Sequence, residues 1–270
     1  MSVRIGVVGV GRIGKMHAEI IAHEIDNAEL AGVFDVNDES ASVVSRELHV
    51  PALSLESMLA DRSIDAIAVC SSTDTHVSTI EMAAQAGKAI FCEKPISLDL
   101  DQVDRALAAI AEFKVPFMVG FNRRFDPSHA AVRRAVADGA VGEPHLARIS
   151  SRDPAPPPIA YIQVSGGIFV DMMIHDFDMA RFVVGSPVVE VYARGSVRID
   201  PEFEAAGDLD TAVVMLTHAD GTITTIDNSR QAVYGYDQRL EVLGSRGMAV
   251  SENPMKDTAV VFSADSKTSA

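Results

Sequence analysis

A glycine-rich turn near the start of the chain constrains the fold more than any other feature. The run VRIGVVGV has the length and composition of a buried strand, and the run GKMHAEIIAHEI has helical spacing. Between them, GVGRIG supplies Gly9, Gly11 and Gly14 in the pattern G-x-G-x-x-G. In a strand–turn–helix unit, the first glycine permits a tight turn, the second lets the backbone approach a pyrophosphate, and the third allows close helix–strand packing.

A carboxylate follows at the expected distance. The next predicted strand, AELAGVFDV, carries Asp35, twenty-one residues after Gly14. A carboxylate there accepts hydrogen bonds from the adenosine ribose and repels a 2′-phosphate, which favours NAD over NADP as the cofactor. Arg12 and Ile13 in the same turn are predicted to lie against the dinucleotide. The alternative is a solvated aspartate beside a merely glycine-rich turn.

Apolar runs of strand length alternate with helical runs from Ser2 to Phe121. Strands this apolar are typical of a parallel sheet that helices cover on both faces, so residues 1–121 are predicted to form a doubly wound α/β (Rossmann) domain. Loops at the carboxyl edge of such a sheet line the cofactor crevice. The runs CSSTDTH and CEKP therefore supply further candidates for cofactor binding: Ser71, Ser72, Thr73, His76, Glu93 and Lys94.

The pattern changes after Phe121, and residues 122–270 are predicted to form a second, α+β domain. The run GGIFVDMMIHDFDMARFVVG predicts one helix that begins at the glycines. The remaining runs predict a large open, mostly antiparallel sheet with helices on one face. These runs are HLARISSRD, VVEVYARGSVRI, TAVVMLTHAD, TITTIDNSR, QRLEVLGSRG and TAVVFSA.

Three side chains carry the chemistry that the sequence suggests. Lys94 follows a buried strand where the nicotinamide should lie, and its ammonium could donate to a substrate hydroxyl. Asp171 and His175 are four residues apart, so one helix face would carry both. A metal site would require a second histidine or a cysteine nearby, and none is present, so an acid/base pair is favoured. A histidine at the edge of the core, satisfied by hydrogen bonds, remains the alternative.

Composition excludes several classes of partner. The formal net charge is −15 over 270 residues, without a basic cluster, which argues against nucleic acid and anionic membranes as partners. Two cysteines, Cys70 and Cys92, each end an apolar run, as buried free thiols do, and no run suggests a secretion signal or a membrane span. We expect a cytoplasmic protein that binds a small polar molecule.

Four motifs in order, GVGRIGKMHA, CEKPIS, VGFNRRFDP and GGIFVDMMIHDFDMARF, resemble the glucose-fructose oxidoreductase and inositol dehydrogenase family, and most of all its inositol 2-dehydrogenase branch. The resemblance runs through the whole sequence and implies a Rossmann domain followed by an open-sheet domain that mediates dimers or tetramers. It also implies C-terminal helices beyond Ala270. Either the sequence is part of a longer chain or the natural chain is shortened.

The resemblance also implies residue roles. Lys94 matches the active-site lysine of the family, and Pro95 after it is expected in the cis form. Asp171 matches the active-site aspartate, and His175 matches the histidine that acts as general acid/base. Arg124 matches a substrate-side arginine, and Tyr234 or Tyr236 closes the pocket.

The implied activity is NAD-dependent oxidation of a ring secondary alcohol, foremost myo-inositol to 2-keto-myo-inositol, with no metal. Other cyclitols and sugars, such as scyllo-inositol and glucose, stay open as substrates. A non-catalytic NAD-binding regulator is the alternative from another class.

Overall fold

A computed structural model describes residues 2–253, 260–262 and 267–269. The chain divides into two compact units, residues 1–121 and residues 122–270. Within the part that is described, none of the helices is long and apolar enough to cross a membrane.

The first unit contains a five-stranded sheet in the order β2-β1-β3-β4-β5, in which every neighbouring pair is parallel. Its strands are β1 (Val3–Val8), β2 (Ala28–Phe34), β3 (Ala66–Val69), β4 (Ala89–Cys92) and β5 (Phe117–Val119). The predicted doubly wound sheet is confirmed. The strand order reverses between β1 and β3, and in such sheets the ligand crevice lies at this switch point, beyond the carboxyl ends of the strands.

Helices cover both faces of this sheet. They are α1 (Arg12–His23), α2 (Asp38–Leu48), α3 (Leu55–Ala60), α4 (Thr73–Gln85) and α5 (Leu100–Phe113). One apolar cluster joins Ala18 of α1 to Val7 and Val33, and a separate cluster joins Ile80 of α4 to Ile67. Burial of the strands on two sides explains why their sequences are continuously apolar rather than alternating.

Both cysteines are buried free thiols, as predicted. Cys92 ends β4, and Cys70 follows β3 directly. Burial raises the pKa of the Cys92 thiol to about 12 and also raises the pKa of Cys70. Neither side chain is therefore a thiolate near neutral pH, and both serve the packing of the sheet.

The second unit contains a six-stranded sheet in the order β11-β10-β6-β9-β8-β7. Its strands are β6 (Pro144–Arg152), β7 (Val188–Ser196), β8 (Thr211–His218), β9 (Ile223–Ser229), β10 (Asp237–Gly244) and β11 (Gly247–Ser251). Only β6 and β9 are parallel neighbours, so the predicted mostly antiparallel sheet is confirmed. Two further strands, β12 (Val260–Phe262) and β13 (Lys267–Ser269), pair with each other. The remainder of the predicted strand TAVVFSA lies outside the described residues.

The helices of this unit pack against one face of the six-stranded sheet, where Met179 and Val183 meet Val214 and Leu216 in a single core cluster. The helical elements are a 3₁₀-helix (Asn122–Phe125), α6 (Pro127–Ala137), α7 (Ile159–Ser165), a π-helix (Ile168–Met172), α8 (Ile174–Val184) and α9 (Glu202–Ala205). The opposite face of the sheet carries exposed side chains.

Two predictions about local structure are wrong. The run GGIFVDMMIHDFDMARFVVG forms a π-helical turn and then α8, because the Met173 N–H donates to the Ile168 carbonyl, five residues back, at 2.8 Å. The run QRLEVLGSRG is not one strand, because β10 ends at Gly244 and a tight turn leads into β11. An apolar pattern indicates which face is buried but does not resolve one inserted residue or a hairpin turn.

Candidate functional site

The glycine-rich turn has the geometry that a dinucleotide requires. Gly9 has φ +86°, and a Cβ added there would lie 2.4 Å from the Ser71 Cα. A Cβ at Gly14 would lie 1.8 Å from the Gly9 carbonyl oxygen, whereas a Cβ at Gly11 would meet no protein atom within 4 Å. Gly9 and Gly14 are therefore required by the protein itself, and Gly11 leaves space in front of the helix.

The start of α1 is suited to bind an anion. Gly11 is its N-cap, no side chain caps the first turn, and that turn contains no acidic residue. Uncapped N–H groups and the positive end of the helix dipole favour a phosphate group at this position. Exposed Arg12 and half-buried Ile13 are the first two residues of the helix, where they flank such a group.

Asp35 lies just beyond β2 and joins two loops of the crevice. Its Oδ2 accepts a hydrogen bond from the Val10 N–H at 2.8 Å, and its Oδ1 accepts one from the Asn37 N–H at 2.9 Å. Each carboxylate oxygen can accept a second hydrogen bond, so the side chain keeps capacity for two ribose hydroxyls. Together with the glycine turn, Asp35 makes this edge of the sheet fit the adenosine and pyrophosphate of NAD.

The loop after β3 follows the same edge. The Ser71 hydroxyl shares a hydrogen bond of 2.7 Å with the Thr75 hydroxyl, Ser72 is the N-cap of α4, and Thr73 begins that helix. The side chain of Ser72 makes no capping hydrogen bond, so its hydroxyl is not used by the helix. The backbone of Ser71 lies beside Gly9, and the cofactor contacts of the three residues remain a prediction.

His76, for which a cofactor contact is predicted, lies in the interior of the first unit. The imidazole is 1% exposed, with Nδ1 2.9 Å from the Pro95 carbonyl oxygen and Nε2 3.0 Å from the Ser71 carbonyl oxygen. Both ring nitrogens already face protein acceptors. His76 instead ties the loop after β3 to the loop after β4.

The loop after β4 contains Glu93, Lys94 and Pro95, and the Lys94–Pro95 peptide bond is cis, as the resemblance implied. The Glu93 carboxylate accepts a hydrogen bond from the Lys94 N–H at 3.3 Å and lies 2.7 Å from the His17 Nε2. His17 also contacts the Phe91 ring edge-on at 5.1 Å. Glu93 thus supports the backbone of Lys94, and His17 is a supporting residue that sequence reasoning missed inside the motif GKMHA.

In the second unit, Asp171 lies in the π-helix and His175 is the second residue of α8. Asp171 is 9% exposed. Its Oδ1 accepts a hydrogen bond from the Tyr161 hydroxyl at 2.7 Å, and its Oδ2 accepts one from the Arg230 Nη1 at 2.8 Å. The sequence predicted neither Tyr161 nor Arg230; Arg230 ends the run NSR directly after β9, a position that could have drawn attention to it.

The neighbouring carboxylates have other partners. Asp176 is fully buried and accepts hydrogen bonds from Arg123, from the Ser151 hydroxyl at 2.6 Å and from the Asn228 amide at 2.7 Å. The Asp178 Oδ2 accepts a hydrogen bond from the Arg124 Nε at 2.8 Å. The Arg124 guanidinium also lies 5.0 Å from the centre of the Phe182 ring. The two arginines in the middle of the 3₁₀-helix therefore bond to different carboxylates of α8.

The two tyrosine candidates differ in their surroundings. The Tyr234 hydroxyl donates to Asp237 at 2.6 Å and accepts from the Arg152 Nη1 at 2.8 Å. The Tyr236 hydroxyl donates to Asp153, and desolvation together with the charge of Asp153 raises the pKa of Tyr236.

Tyr236 adjoins the charged groups around Asp171. Burial raises the pKa of Asp153, while the charges of Arg230 and Arg123 oppose that rise. Asp153 therefore lies close enough to these arginines to sense both. Tyr236, rather than Tyr234, contacts Asp153, which in turn senses the charges of Arg230 and Arg123.

The described residues contain no group of three or more histidine, cysteine, aspartate or glutamate side chains that could hold a metal ion. The second unit provides the buried Asp171 carboxylate, which accepts two hydrogen bonds, and half-buried His175 lies four residues after it. Such a carboxylate is suited to orient an imidazole and to stabilise its protonated form.

Comparisons with known proteins agree with both units. Residues 3–121 match the model of an oxidoreductase family with an NAD-binding Rossmann fold, and residues 129–250 match the GFO/IDH/MocA C-terminal domain. The predicted NAD-binding Rossmann domain of an oxidoreductase is thereby confirmed.

Individual relatives are similar over most of the chain. The myo-inositol 2-dehydrogenase of Thermotoga maritima is 49% identical over 261 residues, 96% of this chain and 78% of the relative. The structure of a myo-inositol dehydrogenase from Corynebacterium glutamicum is 41% identical with a TM-score of 0.92, covering 100% of this chain and 81% of the other. That of a Lactobacillus casei scyllo-inositol dehydrogenase with NAD(H) and scyllo-inositol is 32% identical with a TM-score of 0.89, covering 100% and 82%.

Proposed function

The chain belongs to the GFO/IDH/MocA family of oxidoreductases, and from this premise we propose that it oxidises a ring hydroxyl of an inositol with NAD as the hydride acceptor. The observation that carries the proposal is the 49% identity, over 96% of the chain, to a relative named myo-inositol 2-dehydrogenase. We therefore propose myo-inositol, which would be oxidised to 2-keto-myo-inositol, as the first candidate substrate. A specific observation keeps scyllo-inositol as a second candidate, namely the similarity to a dehydrogenase whose structure contains it.

We propose that three side chains serve the reaction. When bound, NAD supplies the nicotinamide carbon that accepts the hydride. His175 takes the proton of the substrate hydroxyl, Asp171 orients the imidazole and stabilises its protonated form, and Lys94 donates a hydrogen bond to the same oxygen. The buried position and two fixed hydrogen bonds of Asp171 support this assignment.

The structure supports the substrate contacts that we propose in the second unit to different degrees. Tyr236 is favoured over Tyr234, because its hydroxyl contacts Asp153 beside the charges of Arg230 and Arg123. Tyr234 is held by Asp237 and Arg152. Arg124 remains a proposed substrate contact, although the structure pairs it with Asp178.

The absorbance of NADH during incubation of the protein with NAD and a panel of polyols tests the function. We expect turnover with myo-inositol or scyllo-inositol to exceed turnover with glucose, and NAD to be preferred over NADP because of Asp35. Binding of NAD without turnover of any polyol would contradict the enzyme proposal and favour a regulator. Turnover of glucose alone would contradict the proposal that an inositol is the substrate.

We also propose that the chain forms homo-oligomers through the outer face of its six-stranded sheet. Tyr192 of β7 neighbours Met215 of β8, and these residues are 60% and 43% exposed. A similar neighbouring pair, Leu243 and Met248, continues the apolar surface towards β11. Exposed apolar surface of this kind is typical of an interface between subunits, and a second copy of the same sheet supplies a matching surface.

Replacing Met215 with glutamate is expected to lower the molar mass in solution, because an unpaired charge would be buried at the interface. Light scattering after size-exclusion chromatography measures this. The control Leu100→Glu changes an exposed leucine of α5 and should leave the mass unchanged. A monomeric wild-type chain would contradict the proposal.

Because the two thiols are free and buried, we propose that the enzyme acts in a reducing compartment, the cytoplasm.

A further inference from the structure

Arg230 is a charged side chain in an interior position. It follows β9, its N–H donates to the Asp210 carbonyl at 2.8 Å, and the residue is 2% exposed. Arginine is almost never fully buried unless it is paired, because taking its charge out of water is costly. The partners of Arg230 therefore show what this charge is used for.

Both described partners act on the segment that carries Asp171. The Arg230 Nη1 donates to the Asp171 Oδ2 at 2.8 Å, and the Nη2 lies 3.7 Å from the Asp208 Oδ2. Asp208 in turn accepts a hydrogen bond from the Ile168 N–H at 2.9 Å, at the first residue of the π-helix. One guanidinium thus donates a hydrogen bond to the Asp171 carboxylate and forms a longer ion pair with Asp208, which accepts a hydrogen bond from the beginning of the same helix.

The charge balance around Asp171 depends on the same guanidinium. Asp153 senses the positive charges of Arg230 and Arg123 and the negative charges of Asp171 and Asp176. Without Arg230, Asp171 and Asp208 would lose a shared counter-charge in a buried environment. Arg230 therefore supplies positive charge to both carboxylates in addition to its hydrogen bond with Asp171.

We propose that Arg230 is a positioning residue for the dehydrogenation, which orients the Asp171 carboxylate without touching the substrate. This role rests on the proposed function, since it requires that Asp171 acts in the reaction. Tyr161 fixes the other oxygen of Asp171, so that the carboxylate cannot rotate between its two hydrogen bonds.

A double-mutant cycle of Arg230→Met and Asp171→Asn, assayed with NAD and the inositol that the wild type oxidises, tests this role. Arg230→Met is expected to lower kcat about 100-fold, since loss of orientation at a reacting group is costly. The KM for NAD should change less than about twofold, and in the Asp171→Asn background the same replacement should lower kcat less than about threefold. Arg230→Lys, which keeps the charge, should recover part of kcat.

The control Arg246→Met lies in the turn between β10 and β11 and should keep kcat within about twofold, as is usual for surface changes. Equal losses of kcat for Arg230→Met in both backgrounds would overturn the role, because the effect would then not pass through Asp171. An active wild type whose Arg230→Met variant keeps full kcat would overturn this role alone. A wild type that oxidises no polyol would overturn the proposed function and this role with it.

Discussion

Replacing His175 with alanine is expected to lower kcat by about 10²- to 10⁴-fold, the range that general acid–base catalysis contributes. The hydroxyl proton then has no imidazole to accept it, whereas the glycine turn and Asp35 that are proposed to bind NAD remain intact. Steady-state formation of NADH gives kcat, and fluorescence titration of the protein with NADH gives the affinity for the cofactor. The affinity should change less than about threefold, since the replaced side chain lies in the second unit.

The exposed histidine of β6, His145, provides the matched control, because His145→Ala removes an imidazole from the same unit without touching α8. Added imidazole should restore part of the turnover of His175→Ala and have no effect on the control. If His175→Ala loses cofactor affinity and kcat to the same extent, the acid–base role is contradicted, and a structural role of the histidine is favoured.

The cofactor-binding features could be predicted because they are local in sequence. Gly9, Gly11, Gly14 and Asp35 lie within one strand–helix–strand unit. Gly14 is required by the backbone of Gly9, and Gly9 by the backbone of Ser71 after the adjacent strand, whereas Gly11 meets no protein atom. The burial of His76 could not be predicted, because it depends on how α4 packs against the loop after β4. Nothing in the run CSSTDTH indicates that Pro95 supplies one of its acceptors.

The supporting charges of the second unit could not be predicted, because they join distant parts of the chain. Arg230 and Asp171 are 59 residues apart, and Arg123 and Asp176 are 53 apart. Arg123 and Arg124 are adjacent and chemically identical, yet half-buried Arg123 pairs with Asp176 and exposed Arg124 pairs with Asp178. Only the direction of each side chain from the 3₁₀-helix decides between these partners, and sequence spacing does not contain that direction.

The π-helical turn before α8 has a similar origin. Its one extra residue leaves the apolar pattern of GGIFVDMMIHDFDMARFVVG almost unchanged, so a regular helix was the natural prediction. The structure instead holds Ile168 through Asp208 and Asp171 through Arg230. Long-range polar contacts therefore accompany a local backbone geometry that the run itself does not indicate, and π-helical turns frequently occur at functional sites.

Two single-methyl changes in the glycine turn should separate folding from cofactor binding. In Gly14→Ala, the new methyl group would lie 1.8 Å from the Gly9 carbonyl oxygen, so α1 or the turn must shift. Overpacking of this kind costs about 3 kcal/mol, and we expect the melting temperature to fall by about 10 °C. In Gly11→Ala, the methyl group meets no protein atom within 4 Å, and the backbone is extended with φ −61° and ψ −171°, which alanine adopts without strain.

Gly11→Ala should melt within about 4 °C of the wild type, because alanine is a poorer N-cap than glycine by up to about 1 kcal/mol and the replacement brings no steric clash. Its affinity for NADH should nevertheless fall about tenfold or more, a loss of about 1.4 kcal/mol, because the methyl group occupies the space into which the pyrophosphate must fit. Thermal unfolding and fluorescence titration with NADH measure the two quantities on the same samples. Unchanged affinity in Gly11→Ala would mean that the dinucleotide does not approach this backbone, and the assignment of the crevice would have to be abandoned.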